Sequence, residues 1–280
     1  MIAQRKQATT SQFYFDEMSA IWHINRERVL LLTGAKVLLM QIAHPMVATA
    51  VREHSYVFNK PLLRLHRTLT LTLGMVFGTQ DEVHQSIAEI EKAHRPATGR
   101  IKETIGKHQA GAIYNPRAPR QALWVFATLV EGAISGYETL VEPLSQARKN
   151  EFYANSAKIA DWMGIPESYL PNNYTALCDY MTDAIASQEI IVGEDARAIA
   201  PFITTQSIPV LKWLSYPAIR LNVALLPDTI QEQYGYRIGQ RERLWIDRTF
   251  ALSRRITPRL PHLIRFAPEY HRAIRLKQNS

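Results

Sequence analysis

The feature that most limits how this chain can fold is an apolar run at 122–141, ALWVFATLVEGAISGYETLV, whose only charged residues are Glu131 and Glu138. A helix over about 120–142 is apolar on nearly all of its sides, so it has to lie at the centre of a helical domain. Gly132 and Gly136 leave a place on its surface where a second helix or a flat ligand can approach closely. The rest of the chain is therefore expected to pack around this helix.

Most other segments also carry helix signals. The run 61–77 fits a helix, although Leu69–Leu73 alternates leucine and threonine with the two-residue period of a strand. Thr79 and Glu82 form a capping-box pattern, which predicts a helix over about 81–106. Further helices are predicted at 149–163, 173–191, 207–225 and 237–257.

These helices predict an all-α fold, in which a single domain over 1–280 has its core at about 20–260 and contains eight to ten helices. The single cysteine, Cys178, excludes a disulfide framework and a cysteine-based zinc or iron–sulfur site. The apolar segments 29–45 and 122–141 contain charged residues, so neither offers the uncharged span of about 18 residues that a membrane helix needs. The first residues lack a secretory signal. We expect a cytoplasmic protein, either soluble or peripheral to a membrane.

The net charge of +8 lies wholly in the segment 237–280, where eleven Arg and Lys residues face three Asp and Glu residues. The remaining 22 basic residues are balanced by 22 acidic ones. The favoured interpretation is a solvated helix face with some arginines paired inside the domain, and contact with an anionic membrane surface comes second. No nucleic-acid partner is expected, because the segment has neither a zinc-finger nor an RNP motif.

Basic residues and histidines are unusually frequent in the apolar stretch 41–68, which contains His44, His54, Arg64, His66 and Arg67. Burying such side chains is costly unless something partners them. On a helix, Arg64 and Arg67 share a face with Thr68. Two guanidiniums and a hydroxyl on one face suit a carboxylate or phosphate ligand. The alternative is that they neutralise glutamates of a neighbouring helix, and spacing alone leaves both open.

His94 is the histidine whose position is most suggestive. Val83, Ile87 and Ile90 share one face of the predicted helix with it, so we expect its ring on the apolar side. A lone histidine on such a face is usually a hydrogen-bonded core residue, and the chain has no HExxH-like spacing for a protein-only metal site. A haem needs only one axial imidazole in an apolar pocket with basic or hydroxyl groups nearby. His94 would meet that need.

Read as a whole, the sequence resembles the MpaB and rubber-oxygenase (latex-clearing protein) family over about 20–260. No single element is specific, but the ordered set is. The elements are Arg28-Val-Leu-Leu-Leu-Thr-Gly34, Leu39-Met-Gln-Ile-Ala-His-Pro45, Val51-Arg-Glu-His-Ser55, Pro61-Leu-Leu-Arg-Leu-His-Arg-Thr68, Phe77-Gly78, His94-Arg-Pro-Ala-Thr-Gly99, Trp124-Val125, Gly164-Ile-Pro166 and Leu170-Pro171.

This resemblance implies helices around a buried pocket for haem b, and oxidative cleavage of carbon–carbon double bonds in an isoprenoid or other small apolar alkene with O2. His94 matches the family's proximal iron ligand. Arg64, Arg67 and Thr68 match the residues on the distal side, where Arg64 and Thr68 would hydrogen-bond oxygen, a distal water or a propionate. His44 would lie behind the cofactor's direct ligands or form a helix-end hydrogen bond.

Three positions depart from the family pattern. Arg67 stands where the rubber enzymes have a lysine that can coordinate iron, and a guanidinium offers no lone pair. The acid that serves those enzymes as base falls near Ala48-Thr49-Ala50, which has no carboxylate, and Phe126 stands where many relatives have histidine. Rubber is therefore disfavoured as the substrate. The alternative is a non-catalytic lipid- or isoprenoid-binding protein of the same fold, held on a membrane surface by 237–280.

Overall fold

A computed structural model describes residues 12–54, 61–204 and 212–278, with the side chains of 61–67 and 212–216 not described. This part of the chain contains fourteen α-helices and one two-stranded sheet, so the predicted all-α class is confirmed. The helices are α1 (Ala20–Asn25), α2 (Gly34–Ile42), α3 (Pro45–His54), α4 (Pro61–Phe77), α5 (Gln80–His94), α6 (Pro119–Leu140), α7 (Gln146–Trp162), α8 (Tyr174–Ala186), α9 (Glu194–Thr204), α10 (Lys212–Val223), α11 (Asp228–Gln233), α12 (Gln240–Ile256), α13 (His262–Arg265) and α14 (Pro268–Gln278).

Proline explains much of the excess over the predicted eight to ten helices. Its ring disfavours an uninterrupted helix, and here the apolar run of α2 and α3 is divided at Pro45, and prolines 258, 261 and 268 divide the C-terminal segment into α12, α13 and α14. Short 3₁₀ helices fill some of the breaks, at Arg28–Thr33, Glu167–Tyr169 and Thr257–Arg259.

The core forms around α6, as its all-round apolarity predicts. Trp124, Phe126 and Ile134 are buried, and at 100° per residue they lie on different sides of this helix. Its two glycines admit another segment rather than a ligand. A Cβ on Gly132 would overlap Val37 of α2, and one on Gly136 would lie 2.8 Å from Thr33 Oγ1.

The charge at the middle of α6 is matched from α2. Lys36 is 2 % exposed, and its ammonium group forms an ion pair with the Glu131 carboxylate. The Lys36 Nζ also donates to Ser135 Oγ at 3.0 Å. A carboxylate is therefore tolerated in this apolar helix because a buried cation and a hydroxyl replace water around the pair.

Helices α4 and α5 form an antiparallel hairpin. The capping box at its turn is confirmed, since Thr79 Oγ1 accepts the Glu82 N–H and Glu82 Oε2 accepts the Thr79 N–H at 2.9 Å. Residues 69–73 are helical, so the strand-like alternation does not prevail. The predicted extension of α5 to 106 is wrong: the helix ends at His94, because Pro96 follows within two residues. The chain then forms the sheet of β1 (Gly99–Arg100) and β2 (Ile113–Tyr114), antiparallel with Gly99 opposite Tyr114.

The basic C-terminal segment is fastened to the core at several points, which bears out part of the favoured interpretation of its charge. Arg272 of α14 forms a two-pronged ion pair with Glu82 at the start of α5, at 2.6 and 2.9 Å. Arg265 of α13 pairs with the buried Glu27 at 2.7 Å.

No single helix among the described residues is both long enough and apolar enough to cross a membrane. Arg28–Ile42 and Pro45–His54 reach that length and apolarity only when taken together, and they meet at an angle of 107°.

Candidate functional site

The α4–α5 hairpin carries four of the predicted site residues, which are Arg64, Arg67 and Thr68 on α4 and His94 on α5. Arg64 lies 14 residues before Gly78 and His94 lies 15 residues after Thr79, so at 1.5 Å per residue the two positions are about 21 and 22.5 Å from the turn along their helices. The two helices pack together near the turn, since a Cβ on Gly74 would lie 2.9 Å from Ser86 Oγ. Arg64 and His94 are thus at similar distances from the turn along the hairpin.

The side chains of the other predicted site residues are known only in part. Thr68 is exposed to solvent. Arg64 and Arg67 have helical backbone in α4, but their side chains lie outside the described residues. The roles predicted for these three residues stay predictions.

His94 is exposed, so the face of α5 that it shares with Val83, Ile87 and Ile90 is not buried at this end of the helix. Val83 is fully buried on that face, whereas Ile87 and Ile90 are only partly buried. Burial on this face therefore decreases towards the C-terminal end of α5. The helix stops at His94, so no further helical turn covers the ring. An exposed imidazole at a helix end is accessible to a ligand, whereas a ring packed in the core is not.

The surroundings of His94 keep it neutral. Desolvation by nearby protein lowers the pKa of this imidazole, and the Arg117 charge lowers it further. At neutral pH the ring therefore keeps a nitrogen lone pair for a metal.

A hydrogen-bonded chain that the sequence analysis missed lies beside this end of α5. Tyr114 of β2 is fully buried, and its hydroxyl donates to Glu53 Oε2 at 2.5 Å. Since that proton is used, His54 Nε2 must donate to the Tyr114 oxygen, at 2.9 Å. Burial, with the Glu53 acceptor second, raises the pKa of Tyr114 above its ordinary range, so the phenol keeps its proton.

Gly99 is what allows this chain to form. A Cβ at Gly99 would overlap the Tyr114 hydroxyl, so only glycine fits five residues after His94. This hydrogen-bonded chain links the C-terminal end of α3 to the segment that follows α5. The sequence indicated this contact only through Gly99, which ends the His94-to-Gly99 element. Local patterns could not identify its partner Tyr114, which lies fifteen positions later.

His44 is placed as a structural residue. It is 2 % exposed, its Nδ1 accepts the Met46 N–H of α3 at 3.3 Å, and its ring lies 5.1 Å from that of His108. His108 in turn donates from Nε2 to the Glu189 carbonyl at 2.7 Å. Burial, with the His108 charge second, lowers the pKa of His44 to about 3. The helix-end hydrogen bond is therefore observed, and contact with a cofactor stays a prediction.

A carboxylate from a distant helix reaches the position where the sequence has none. Thr49 of α3 donates from Oγ1 to Asp195 Oδ2 at 2.6 Å, and Arg52 forms an ion pair with the other Asp195 oxygen. Asp195 lies in the first turn of α9. Folding thus places the Asp195 carboxylate beside Ala48–Ala50, a stretch that contains no acidic residue of its own.

A metal ion held by protein alone does not fit the described residues, and haem stays a prediction. Within the described ranges, no group of three or more His, Cys, Asp or Glu side chains could hold a metal ion. A haem requires a single axial imidazole, which the neutral and accessible His94 can supply. A recess of about 600 Å³ on α8 does not suit this cofactor, because Asp179, Asp183 and Glu189 line it and would repel the propionates.

Comparison with known families gives a match that covers most of the chain. The family described as ER-bound oxygenase mpaB/B′/Rubber oxygenase, catalytic domain, matches residues 21–255. The match includes α1–α11 and nearly all of α12, and therefore every predicted site residue. No curated protein and no solved structure matches the chain.

Proposed function

Because the chain belongs to the family of MpaB and rubber-oxygenase catalytic domains, we propose that it is a haem b-dependent oxygenase acting on a small apolar alkene such as an isoprenoid. Family membership makes an oxygenase the expected activity. The observation that carries the haem assignment is the His94 imidazole, which is neutral and accessible. Haem, when bound, supplies the activation of O2.

The polypeptide would bind and orient the cofactor from two helices. His94 would hold the iron from α5 through an imidazole nitrogen. Across the hairpin, Arg64 is suited to a propionate, and the Thr68 hydroxyl can donate to a distal water. Arg67 stays protonated and cannot ligate iron, so the side facing α4 is left open to small molecules.

Asp195 is our candidate for the missing base. Its carboxylate lies against Thr49, within the stretch where the rubber enzymes carry their acid. The Thr49 hydroxyl orients one oxygen and Arg52 holds the other. A carboxylate fixed in this way can accept a proton from a substrate, provided that the alkene lies next to α3.

The test is an absorption spectrum of the purified protein, as isolated and after reconstitution with haemin. We expect an intense haem band that His94→Ala abolishes. The matched control is His84→Ala, because His84 is an exposed histidine on the same helix and should leave the band unchanged. A wild-type protein without the band under both conditions would refute the proposal, and a normal spectrum in His94→Ala would remove His94 as ligand.

A second candidate function is a non-catalytic lipid- or isoprenoid-binding protein of the same fold. It is favoured by large apolar side chains that the C-terminal helices hold in solvent, among them Leu263 at 78 % exposure. This candidate takes the lead if the protein binds an isoprenoid alkene, measured by quenching of tryptophan emission, while haemin uptake fails.

A further inference from the structure

Helix α12 carries an unusual surface on the side that faces solvent. Its inner side is set by Ile246 and Phe250, which are 0 and 9 % exposed. At 100° per residue, nine exposed residues fall on the opposite side, and seven of them are arginines or large apolar residues, which we call the outer face of α12. They are Arg241, Leu244, Trp245, Arg248, Leu252, Arg255 and Ile256.

The arginines of the outer face form a stripe. Arg241, Arg248 and Arg255 are seven residues apart, so they lie two turns from one another along the helix with little rotation. None of the three has an ion-pair partner among the residues that the structure describes. Glu242 cannot serve, since it points away and pairs with Arg220.

The apolar residues of the outer face are large and well exposed. Leu244, Trp245, Leu252 and Ile256 are 59, 41, 55 and 47 % exposed. They alternate with the arginines along the helix, so charged heads and apolar bodies share one side. Basic residues together with exposed Trp and Leu side chains also occur on helices that bind in the interface of a membrane, although there they lie on separate faces.

The apolar surface continues beyond the end of α12. Leu263 and Ile264 of α13 are 78 and 60 % exposed, and we call these two residues the α13 tip. A shallow recess lined by Arg255, Ile256, Arg259 and Leu260 separates the outer face from the tip. Two guanidiniums over an apolar floor suit a phosphate that carries hydrocarbon chains.

The α13 tip is held in place rather than free to fold back. Arg265 next to it pairs with the buried Glu27, and Phe266 pairs with Glu27 through a backbone bridge. The guanidinium of Arg26 stacks on the Phe266 ring at 4.4 Å. The exposure of Leu263 and Ile264 is therefore fixed by buried contacts on either side.

We propose that the outer face of α12 and the α13 tip dock on an anionic lipid surface. Arginines attract the lipid phosphates while their aliphatic stems and the neighbouring Trp and Leu residues enter the headgroup region. A second copy of the chain fits less well, because self-pairing of this face would bring like-charged arginine stripes together. A nucleic-acid partner would leave the α13 tip without a contact, because a phosphate backbone offers no apolar surface. The proposal is independent of the haem assignment.

The first experiment measures sedimentation of the full chain with vesicles of phosphatidylcholine, alone or mixed with phosphatidylserine. We expect binding to the mixed vesicles only, weakened by salt. Each basic residue near an anionic surface contributes roughly fivefold to binding, so the triple variant R241Q/R248Q/R255Q should bind about a hundredfold more weakly. The control K92Q/K107Q/K158Q removes the same charge from exposed lysines elsewhere and should bind nearly as the wild type does.

The second experiment tests the apolar part. L263S/I264S should lose at least about tenfold in binding, because each aliphatic side chain gains free energy when it leaves water. The control is Met18→Ser, since Met18 is 79 % exposed and precedes α1, outside α12 and α13. Trp245 emission should shift to the blue on vesicles, and Trp245→Phe should remove that shift. Unfolding curves of all variants should match the wild type, since every substituted residue is exposed.

Several outcomes overturn the proposal. Binding that is equal on both vesicle types, or that falls equally in the arginine and lysine variants, would show that no specific face is used. A wild-type dimer in light scattering that L263S/I264S converts to a monomer, without vesicle binding, would assign the face to a second copy. Salt-sensitive DNA binding without vesicle binding would assign the arginines to nucleic acid.

Discussion

Replacing Arg265 with methionine should lower the free energy of unfolding by about 3–5 kcal/mol at pH 8, because it leaves a buried carboxylate without its partner. The Glu27 side chain is fully buried, and that of Arg265 is 11 % exposed. Arg265 Nε donates to Glu27 Oε2 at 2.8 Å, and Nη2 lies 2.7 Å from Oε1. Arg26 is only a weak substitute, since its Nε lies 3.8 Å from the same carboxylate.

The loss should depend on pH. Burial raises the pKa of Glu27 and Arg265 opposes that effect, so the variant raises this pKa further. A carboxyl group whose pKa is raised in the folded state contributes stability below its unfolded pKa and loses it as pH rises through the folded value. The destabilisation by Arg265→Met should therefore be smaller at pH 5 than at pH 8.

Urea unfolding followed by circular dichroism at the two pH values measures both effects. The double variant Glu27→Gln/Arg265→Met is the control, because it removes the buried charge as well as its partner. It should recover most of the lost stability and show little pH dependence. Equal losses at both pH values, or a double variant as unstable as Arg265→Met, would refute the reasoning.

Two other predictions concern the candidate site. Asp195→Asn should slow O2 consumption with an isoprenoid alkene by about 10²–10⁴ if Asp195 is the base, while haem uptake stays unchanged because an amide oxygen still accepts from Thr49. An unchanged rate removes Asp195 from the mechanism. Burial lowers the pKa of His44 in the folded state to about 3, so as pH falls the unfolded state binds the proton before the folded state does. The stability that this group contributes is therefore complete above about pH 6.5 and is lost as pH falls towards 3. His44→Leu should flatten urea-monitored stability across that window, and an unaltered pH profile would contradict the assignment.

The helices with strong local signals were predictable from the sequence. The continuous apolarity of α6 required a central position, and the Thr79–Glu82 capping box fixed the start of α5. The end of α5 was not predictable from periodicity. Ile101 continues the apolar spacing and is buried, but it reaches the core from the loop after β1. The apolar character of Ile101 reflects its burial and does not show that the helix continues. Pro96 was therefore the better signal for the end of α5.

The candidate site shows a different limit. Its helices could be identified from local patterns and from the resemblance, whereas its supporting contacts join residues far apart in the chain. Thr49 and Asp195 are 146 positions apart, and His54 and Tyr114 are 60 apart. A residue type and its spacing indicate which face of a helix it occupies. They do not indicate which distant helix that face meets, because that depends on how the entire core packs.

The C-terminal arginines show how the two kinds of information combine. Composition revealed the excess of charge but could not divide the arginines into those that fasten the chain and those that face outward. The structure divides them, since Arg265 and Arg272 pair with glutamates whereas Arg241, Arg248 and Arg255 form one outward stripe. The stripe depends on a seven-residue spacing already present in the sequence, but that spacing has meaning only once Ile246 and Phe250 define the inner side of α12. Substituting the outward arginines should therefore change vesicle binding differently from substituting Arg265 and Arg272, although all five lie in one segment.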